Sequence, residues 1–135
     1  MIYNKEPISV LYDMVKDLCF YANGRTKPNA IPIFKEIMNK EANDIPESYI
    51  LLRSETSDST QTYGDGKTLI RIADCDIILI TKGYAINSTD LHNVNKRKIK
   101  EHLQSQDINF QGFNLGFQDG VGSQYTFSLE VEYIA

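Results

Sequence analysis

The sequence predicts a single α+β domain, in which helices pack on a mainly antiparallel β-sheet that carries a long β-hairpin. Its 135 residues match the length of one domain. Helical and strand-like segments follow one another in blocks, which favours antiparallel pairing between consecutive strands. The last segment, QYTFSLEVEYIA, alternates apolar and polar residues without a break, as a half-exposed strand does.

The N-terminal segment predicts an amphipathic helix over residues 7–23. Pro7 lies in its first turn, Gly24 follows its last turn, and apolar residues recur between them at three- and four-residue steps. The next residues, GRTKPNAIP, are typical of a loop because they hold a glycine and two prolines. The segment IFKEIMNKEAN, residues 33–43, then predicts a short second helix that ends before Pro46.

The predicted sheet begins at Ser48. SYILLRSE has the composition of a strand, and residues 54–66 are a run of Ser, Thr, Asp and Gly that predicts an extended hairpin tip. The strand that follows, KTLIRIADCDIILITKG, has apolar residues on both faces. One face carries Ile70, Ile72, Ile78 and Ile80, and the other carries Leu69, Ala73, Cys75, Ile77 and Leu79. A central position in the sheet explains this pattern.

A further helix is predicted over residues 90–106, with caps offered by residues 87–89. Its apolar stripe is Leu91, Val94, Ile99 and Leu103, and it is thin enough to predict a helix with one side in water. INFQGFNLGFQ, the turn DGVG and the final strand complete the chain as a second hairpin. In the final strand, Phe127 belongs to the apolar face and Glu130 to the polar face.

Composition narrows the classes of function. The net charge of -4 argues against a dedicated nucleic-acid binder, which needs an excess of Lys and Arg. Cys19 and Cys75 have neither CxxC nor Cys/His ligand spacing, so we expect buried thiols in a reducing compartment. No secretory signal or membrane-spanning apolar run is present, which predicts synthesis in the cytoplasm and no membrane partner.

Few residues are candidates for chemistry. His92 and His102 are ten positions apart on one helix, about 15 Å of rise, so they cannot share a metal ion, and we expect surface or boundary positions for both. Asp74 and Asp76 form a DxD motif that either holds a hard cation, serves as a catalytic pair, or forms ion pairs with Arg71 and Lys82 at a sheet rim. The ion-pair interpretation is favoured, because no third acidic ligand is near in sequence.

Phosphate-binding and hydrolase motifs do not occur. The stretch GDGK at residues 64–67 is followed by a strand rather than a helix, which indicates a hairpin turn and not a phosphate loop. GxSxG, HExxH and GxGxxG are all missing. The sequence therefore predicts no catalytic, metal-binding or cofactor-binding residues and no cofactor.

Two surfaces are candidates for binding a partner. Lys96, Arg97 and Lys100 lie on the side of the predicted helix away from Leu91 and Val94, which makes either a solvated face or a docking face. A docking face would meet an acidic protein surface or a nucleic-acid backbone, and the acidic composition of the rest of the chain favours the protein. The long polar tip is the other surface, because long loops in compact domains are usually functional or disordered. Its candidate residues are Asp58, Thr60, Tyr63, Asp65 and Lys67.

With this layout, the chain resembles the tail terminator proteins, also called tail-completion or tail-to-head joining proteins, of long-tailed bacteriophages. The resemblance is carried by LYDMVKDLCFYANG, ESYILLR, RIADCDIILITKG, LHNVNKRKIKEHLQ and GSQYTFSLEVEY, and it covers nearly the whole chain. It implies a small α+β subunit that assembles as a hexameric ring at the head-proximal end of the tail tube. Such a ring stops tube polymerisation, joins the tail to the head and has no catalytic role.

The resemblance also implies a virion location and three kinds of partner: the tail-tube protein, the head-completion protein and copies of the chain itself. It leaves open whether the chain alone is a monomer, and it implies that DNA passes through the ring without specific binding. Two alternatives remain. One is a head-completion or minor capsid connector that binds the portal or adaptor ring, and the other is a small binding module or enzyme that acts through Asp74 and Asp76.

Overall fold

The computed structural model describes residues 2–21, 30–36, 45–62, 69–83, 87–118 and 122–134. In chain order the elements are β1 (Ile2–Tyr3), α1 (Pro7–Val15), β2 (Ile33–Lys35), β3 (Ser48–Thr62), β4 (Leu69–Thr81), α2 (Leu91–Ser105), β5 (Gln111–Gln118) and β6 (Gly122–Ile134). The predicted α+β class is confirmed.

The strands form one six-stranded sheet of order β1-β6-β4-β3-β2, and β5 also pairs with β6. The long pairs β3/β4, β4/β6 and β5/β6 are antiparallel, whereas the short β1 and β2 pair in parallel with β6 and β3. The sheet is therefore mixed but mainly antiparallel, as predicted. The predicted central position of β4 is also confirmed, since β3 and β6 flank it.

Both helices pack on the same face of the sheet, which we call the inner face. α1 contacts β3, β4 and β6, and α2 contacts β4. The residues buried between helices and sheet include Leu11 and Val15 of α1, Ile99 and Leu103 of α2, and Ile77, Leu79 and Phe127 of the sheet. Burial of these side chains supplies most of the folding free energy, at about 25 cal/mol per Å² of apolar surface.

β4 is buried on both sides over much of its length. Its inner face carries Ala73, Cys75, Ile77 and Leu79, and its opposite side, which we call the outer face, carries Ile78 and Ile80 in a second apolar cluster. The prediction is wrong for Leu69, which is 41% exposed at the start of the strand. There the hairpin extends past the helices, so no helix covers the side chain.

α1 is shorter than the predicted helix over residues 7–23. It ends at Val15 because Lys16 is extended and Asp17 has a φ of 58°, a left-handed conformation that Asp tolerates better than most residues. Cys19 is buried beyond the helix, and Phe20 forms a β-bridge with Ala30. Residues 22 and 23 lie outside the described residues.

The predicted second helix over residues 33–43 is wrong at its start. Residues Ile33–Lys35 form β2, because Ile50 donates its backbone N–H to the carbonyl of Pro32, and Glu36 donates to the carbonyl of Leu52. Pairing with β3 thus outweighs the helical spacing of the sequence. Residues 37–43 lie outside the described residues.

The polar segment predicted as a loop from residue 54 is largely strand. β3 continues to Thr62 and pairs with β4, with a register shift between Thr56 and Thr60. Asp58 therefore lies in the irregular part of a strand, and Thr60 pairs with Arg71. The other predicted tip residues, Tyr63, Asp65 and Lys67, lie outside the described residues.

α2 agrees with its predicted bounds to within one residue at each end. It stops at a left-handed Asp107, with φ of 55°, where Ile108 donates its N–H to Leu103 and Asp107 donates to Gln104. The predicted stripe is half right. Ile99 and Leu103 are buried, but His92 and Asn95 share that face, whereas Leu91 and Val94 are only half-buried.

Phe127 provides the test of this core. It is fully buried and packs against the rings of Tyr125 and Phe110, with centroid separations of 4.8 and 5.6 Å. We expect Phe127→Ala to lower the free energy of unfolding by about 3–5 kcal/mol, measured by urea denaturation, because it leaves a cavity. Glu130→Gln, on the exposed side of the same strand, should change it by less than about 0.5 kcal/mol. Equal losses in the two variants would contradict this strand register.

Candidate functional site

The outer face of the sheet has an apolar half and a charged half. Near the start of β3, Tyr49, Leu51, Ile78 and Ile80 are buried and pack with Phe34 and Ile45. Further along the same face, the alternation of β3, β4 and β6 brings out a different set of side chains: Arg53, Glu55, Asp74, Asp76, Ser128, Glu130 and Glu132. We call this second half the acidic face, because carboxylates predominate there.

Three carboxylates of the acidic face stand in one row across the sheet. Glu55 is the register partner of Asp74, and Asp74 is the register partner of Glu130, so we call these three residues the acidic row. All three are exposed. The ion pairs of the described residues join Asp13 to Lys5 and Lys16, so no described cation neutralises the row. Like charges on adjacent strands destabilise a sheet, so the acidic row lowers the stability of this sheet.

The expected ion pairs of Asp74 and Asp76 with Arg71 and Lys82 do not form. Lys82 instead donates to the carbonyl of Ile45, at 3.0 Å. Asp76 accepts a hydrogen bond of 2.7 Å from the hydroxyl of Ser128 across the strand pair. The two aspartates lie on the central strand rather than at a sheet rim, so that part of the prediction is wrong.

A cleft of about 1250 Å³ runs from the acidic face around the free side of β6. It lies along the side of β6 that faces away from β4, where no described strand pairs with residues 129–131. The pairing with β5 stops at Ser128, and the pairing with β1 begins at Glu132. Helix residues Val10 and Met14 line its other wall. Its carboxylates are Asp13, Asp74, Asp76, Asp107, Glu130 and Glu132.

The cleft does not assemble a metal centre from the residues that the structure describes. Within them, no three His, Cys, Asp or Glu side chains are close enough to hold a metal ion. Asp13 is committed to Lys5, at 2.8 Å, and that hydrogen bond holds the pKa of its carboxyl below the usual value. The described part of the cleft is therefore an acidic surface without a built cation site.

The basic residues of α2 lie on the other side of the molecule, above the inner face. Arg97 and Lys100 are exposed, as predicted. Lys96 is half-buried with its ammonium 5.0 Å from the ring of Tyr125, so its predicted place on the solvated side is wrong. Lys98 lies 5.4 Å from the ring of Phe20. Through these cation–π contacts, Lys96 helps to hold α2 on β6, and Lys98 helps to hold α2 on the segment that follows α1.

A buried chain of polar side chains connects α2 to the sheet. The Nδ1 atom of His92 lies 3.1 Å from the hydroxyl of Thr81, and that hydroxyl lies 2.9 Å from the hydroxyl of Ser48. The prediction of a surface or boundary place is wrong for His92, which is buried, and right for His102, which is half-buried. No carboxylate joins the Ser48–Thr81–His92 chain, and all three residues are buried from a substrate. The chain is a structural contact.

Both cysteines are buried, as predicted. Burial raises the pKa of each thiol to about 12, and the carboxylates of Asp76 and Asp74 add to the effect at Cys75. Since the thiolate is the reactive form, both side chains are inert at neutral pH.

Within the described residues, no helix is long and apolar enough to span a membrane.

Sequence reasoning missed the acidic row. Glu55, Asp74 and Glu130 are far apart in sequence, and only the register of three strands makes them neighbours. The available signal was that Asp74 and Glu130 are charged residues with apolar neighbours inside strands, whereas Glu55 stands between Ser54 and Thr56 and gives no such signal. A register could have been guessed from the hairpin but not from the β4/β6 pair, whose strands are separated by α2 and β5.

The sequence was also compared with known proteins. No protein-family model matches this chain, and no curated protein matches it either.

The buried imidazole predicts a pH dependence of stability. Burial, with Lys96 adding to it, lowers the pKa of His92 from 6.5 to about 4, so the unfolded chain binds a proton that the folded chain resists. The stability contribution is complete above pH 6.5 and is lost as the pH falls toward 4, by on the order of 3 kcal/mol. Chemical denaturation at several pH values should show a flatter profile of the free energy of unfolding for His92→Gln than for the unmodified chain. Parallel profiles for the two proteins would refute this prediction.

Repulsion within the acidic row predicts a stabilising substitution. Asp74 stands between Glu55 and Glu130, so Asp74→Asn removes two unfavourable neighbours while keeping the size of the side chain. We expect the free energy of unfolding to rise by about 0.2–1 kcal/mol in low salt, measured by urea denaturation, and the gain to shrink as salt screens the charges. Glu101→Gln, on the basic helix, is the matched control and should give no gain. A loss of stability for Asp74→Asn would show that the row is paired.

Proposed function

We propose that this chain is a tail-terminator subunit of a long-tailed bacteriophage. It assembles as a ring on the head-proximal end of the tail tube, stops tube polymerisation and provides the surface that the head-completion protein binds. Its place in the virion is the junction between tail and head. The role is structural, and the subunit carries out no reaction.

The observation that carries this proposal is the acidic row on the helix-free charged half of the sheet. A ring that surrounds a DNA passage needs a wall that does not bind the phosphate backbone, and carboxylates repel phosphates. Glu55, Asp74 and Glu130 are exposed, and none of them forms an ion pair with a described cation, although Arg53 lies on the same face. A surface that keeps this repulsion at a cost in stability is consistent with selection for the repulsion itself.

The position of the helices agrees with such an arrangement. With the acidic face toward the lumen, α1 and α2 lie on the outside of the ring, because they cover the opposite face of the sheet. Arg97 and Lys100 then point away from DNA and toward neighbouring proteins. This orientation fits the predicted docking face for an acidic protein partner better than it fits a DNA contact.

The neighbourhood of Asp74 and Asp76 supports a structural role over an enzymatic one. Asp76 accepts a hydrogen bond from Ser128, and His92 is buried against Thr81. His102 lines the same cleft as the two aspartates, but it reaches the cleft from α2, on the other face of the sheet. Among the described residues, neither aspartate belongs to a group of side chains that could hold a metal ion.

Electron microscopy of tail tubes tests the proposal. Tail-tube protein from the same phage is polymerised with and without this chain, and the chain carries a gold label. We expect the label at one end of each tube only, and tubes that stop growing once labelled. A denatured sample of the chain and an unrelated acidic protein of similar size serve as controls.

The same experiment separates the alternatives. Label on portal or adaptor rings, with tube ends left bare, would favour a head-completion connector instead. Label along the tube walls would indicate adhesion rather than capping. A chain that binds neither tubes nor rings would refute the phage assembly role.

A further inference from the structure

The sheet leaves two long backbone edges open, one on each side. β2 covers β3 only as far as Leu52, so residues 53–62 have no described strand on that side. β5 pairs with β6 along one side and has no described strand on the other. We call residues 53–62 the β3 edge and Gln111–Gln118 the β5 edge.

The β5 edge lacks most of the features that protect edge strands in monomeric proteins. Its sequence, QGFNLGFQ, holds no charged residue and no proline, and Phe113 is 48% exposed. The exception is the register irregularity between Asn114 and Gly116. Residue 112 must be glycine, since the side chain of Tyr125 occupies the space that a Cβ would need. An open, uncharged strand with an exposed aromatic ring is typical of a strand that pairs with another chain.

The directions of the strands make the two edges compatible. Each step from β3 to β4, from β4 to β6 and from β6 to β5 is antiparallel, so β3 and β5 run in opposite directions. If copies stand side by side around an axis along the strands, the β5 edge of one copy meets the β3 edge of the next in antiparallel orientation. That orientation continues the alternation of the sheet and gives the more stable ladder.

We propose that the β5 edge pairs with the β3 edge of a second copy of this chain. The two edges are unlike surfaces of one subunit, so the contact is heterologous and repeats around a ring that closes. β5 lies level with the first part of β3, because Gln111 and Arg53 share a row through Ser128 and Asp76. Full pairing therefore shifts each copy along the strands, which tilts the strands against the ring axis as in closed barrels. This inference rests on the proposed ring.

Crosslinking between single-cysteine variants tests the contact. Phe113→Cys on β5 and Glu55→Cys on β3 both place a thiol on the outer face at exposed positions. Cys19 and Cys75 are buried and do not compete for the reagent. Full pairing places Phe113 three to five strand residues, about 10–17 Å, from Glu55. With a bis-maleimide that spans this distance and tail tubes present, the mixture of the two variants should give a heterodimer, and the double variant should give a ladder up to the closed ring.

Each variant alone is the first control and should give no crosslinked product. A crosslinked dimer of Phe113→Cys alone would indicate a symmetric β5–β5 contact and overturn the inference. Arg97→Cys on the exposed side of α2 is the second control and should not crosslink to either edge. Gln111→Cys, exposed on the same face of β5, repeats the test at another register position.

The outcomes separate this inference from the proposed function. Capped tubes without any β3–β5 crosslink, at both Gln111 and Phe113, would refute the edge contact while the capping role stands. A β3–β5 ladder in a chain that ignores tail tubes would refute the capping role while the edge contact stands.

Discussion

The position of α2 against the segment after α1 depends on the side-chain amide of Asn95, which bonds the backbone of Phe20 as a neighbouring strand would. Its Nδ2 donates to the carbonyl of Phe20 at 3.1 Å, and its Oδ1 accepts from the N–H of Phe20 at 3.4 Å. Cys19 adds a contact of 3.8 Å from its thiol to the backbone carbonyl of Asn95. Because α1 is short, the chain after it must be held by something else, and an unpaired buried backbone group costs about 1–3 kcal/mol. Asn95 satisfies both groups of Phe20 and joins α2 to that segment.

This contact has consequences on both sides of α2. The helix is fixed at Asn95 to the segment after α1, and at His92 to the end of β4 through Thr81. Its remaining buried positions, Ile99 and Leu103, are apolar, and they require only side chains of suitable volume. The polar contacts therefore set where α2 lies, and the apolar contacts set how strongly it is held, since burial is not directional but hydrogen bonds are.

What the sequence could predict follows from which interactions are local. The alternation around Phe127 is a property of a single strand, and that prediction is correct. The burial of β4 on both faces holds only from Ile77 to Thr81, because Asp74 and Asp76 lie on its outer face. The end of α1 at Val15, the strand at Ile33 and the buried place of His92 depend on partners far away in sequence. The half-buried Leu18 and the buried Cys19 continue the helical spacing, but they lie beyond the end of the helix. Periodicity reports burial, and only tertiary contacts decide the conformation that achieves it.

The two candidate surfaces also differ in whether their residues are neighbours in the sequence. The basic residues of α2 are neighbours in sequence and were visible there, whereas the acidic row exists only through pairing. These two surfaces, on opposite faces of the subunit, are complementary in charge, and a direct contact between them would stack copies front to back. The β3 and β5 edges, which no described strand covers, lie at the two sides of the sheet and would instead join copies side by side. Side-by-side joining leaves both faces free, so it alone allows one face to line a passage while the other meets a partner. The row of carboxylates is then left in water, where repulsion between Glu55, Asp74 and Glu130 costs least.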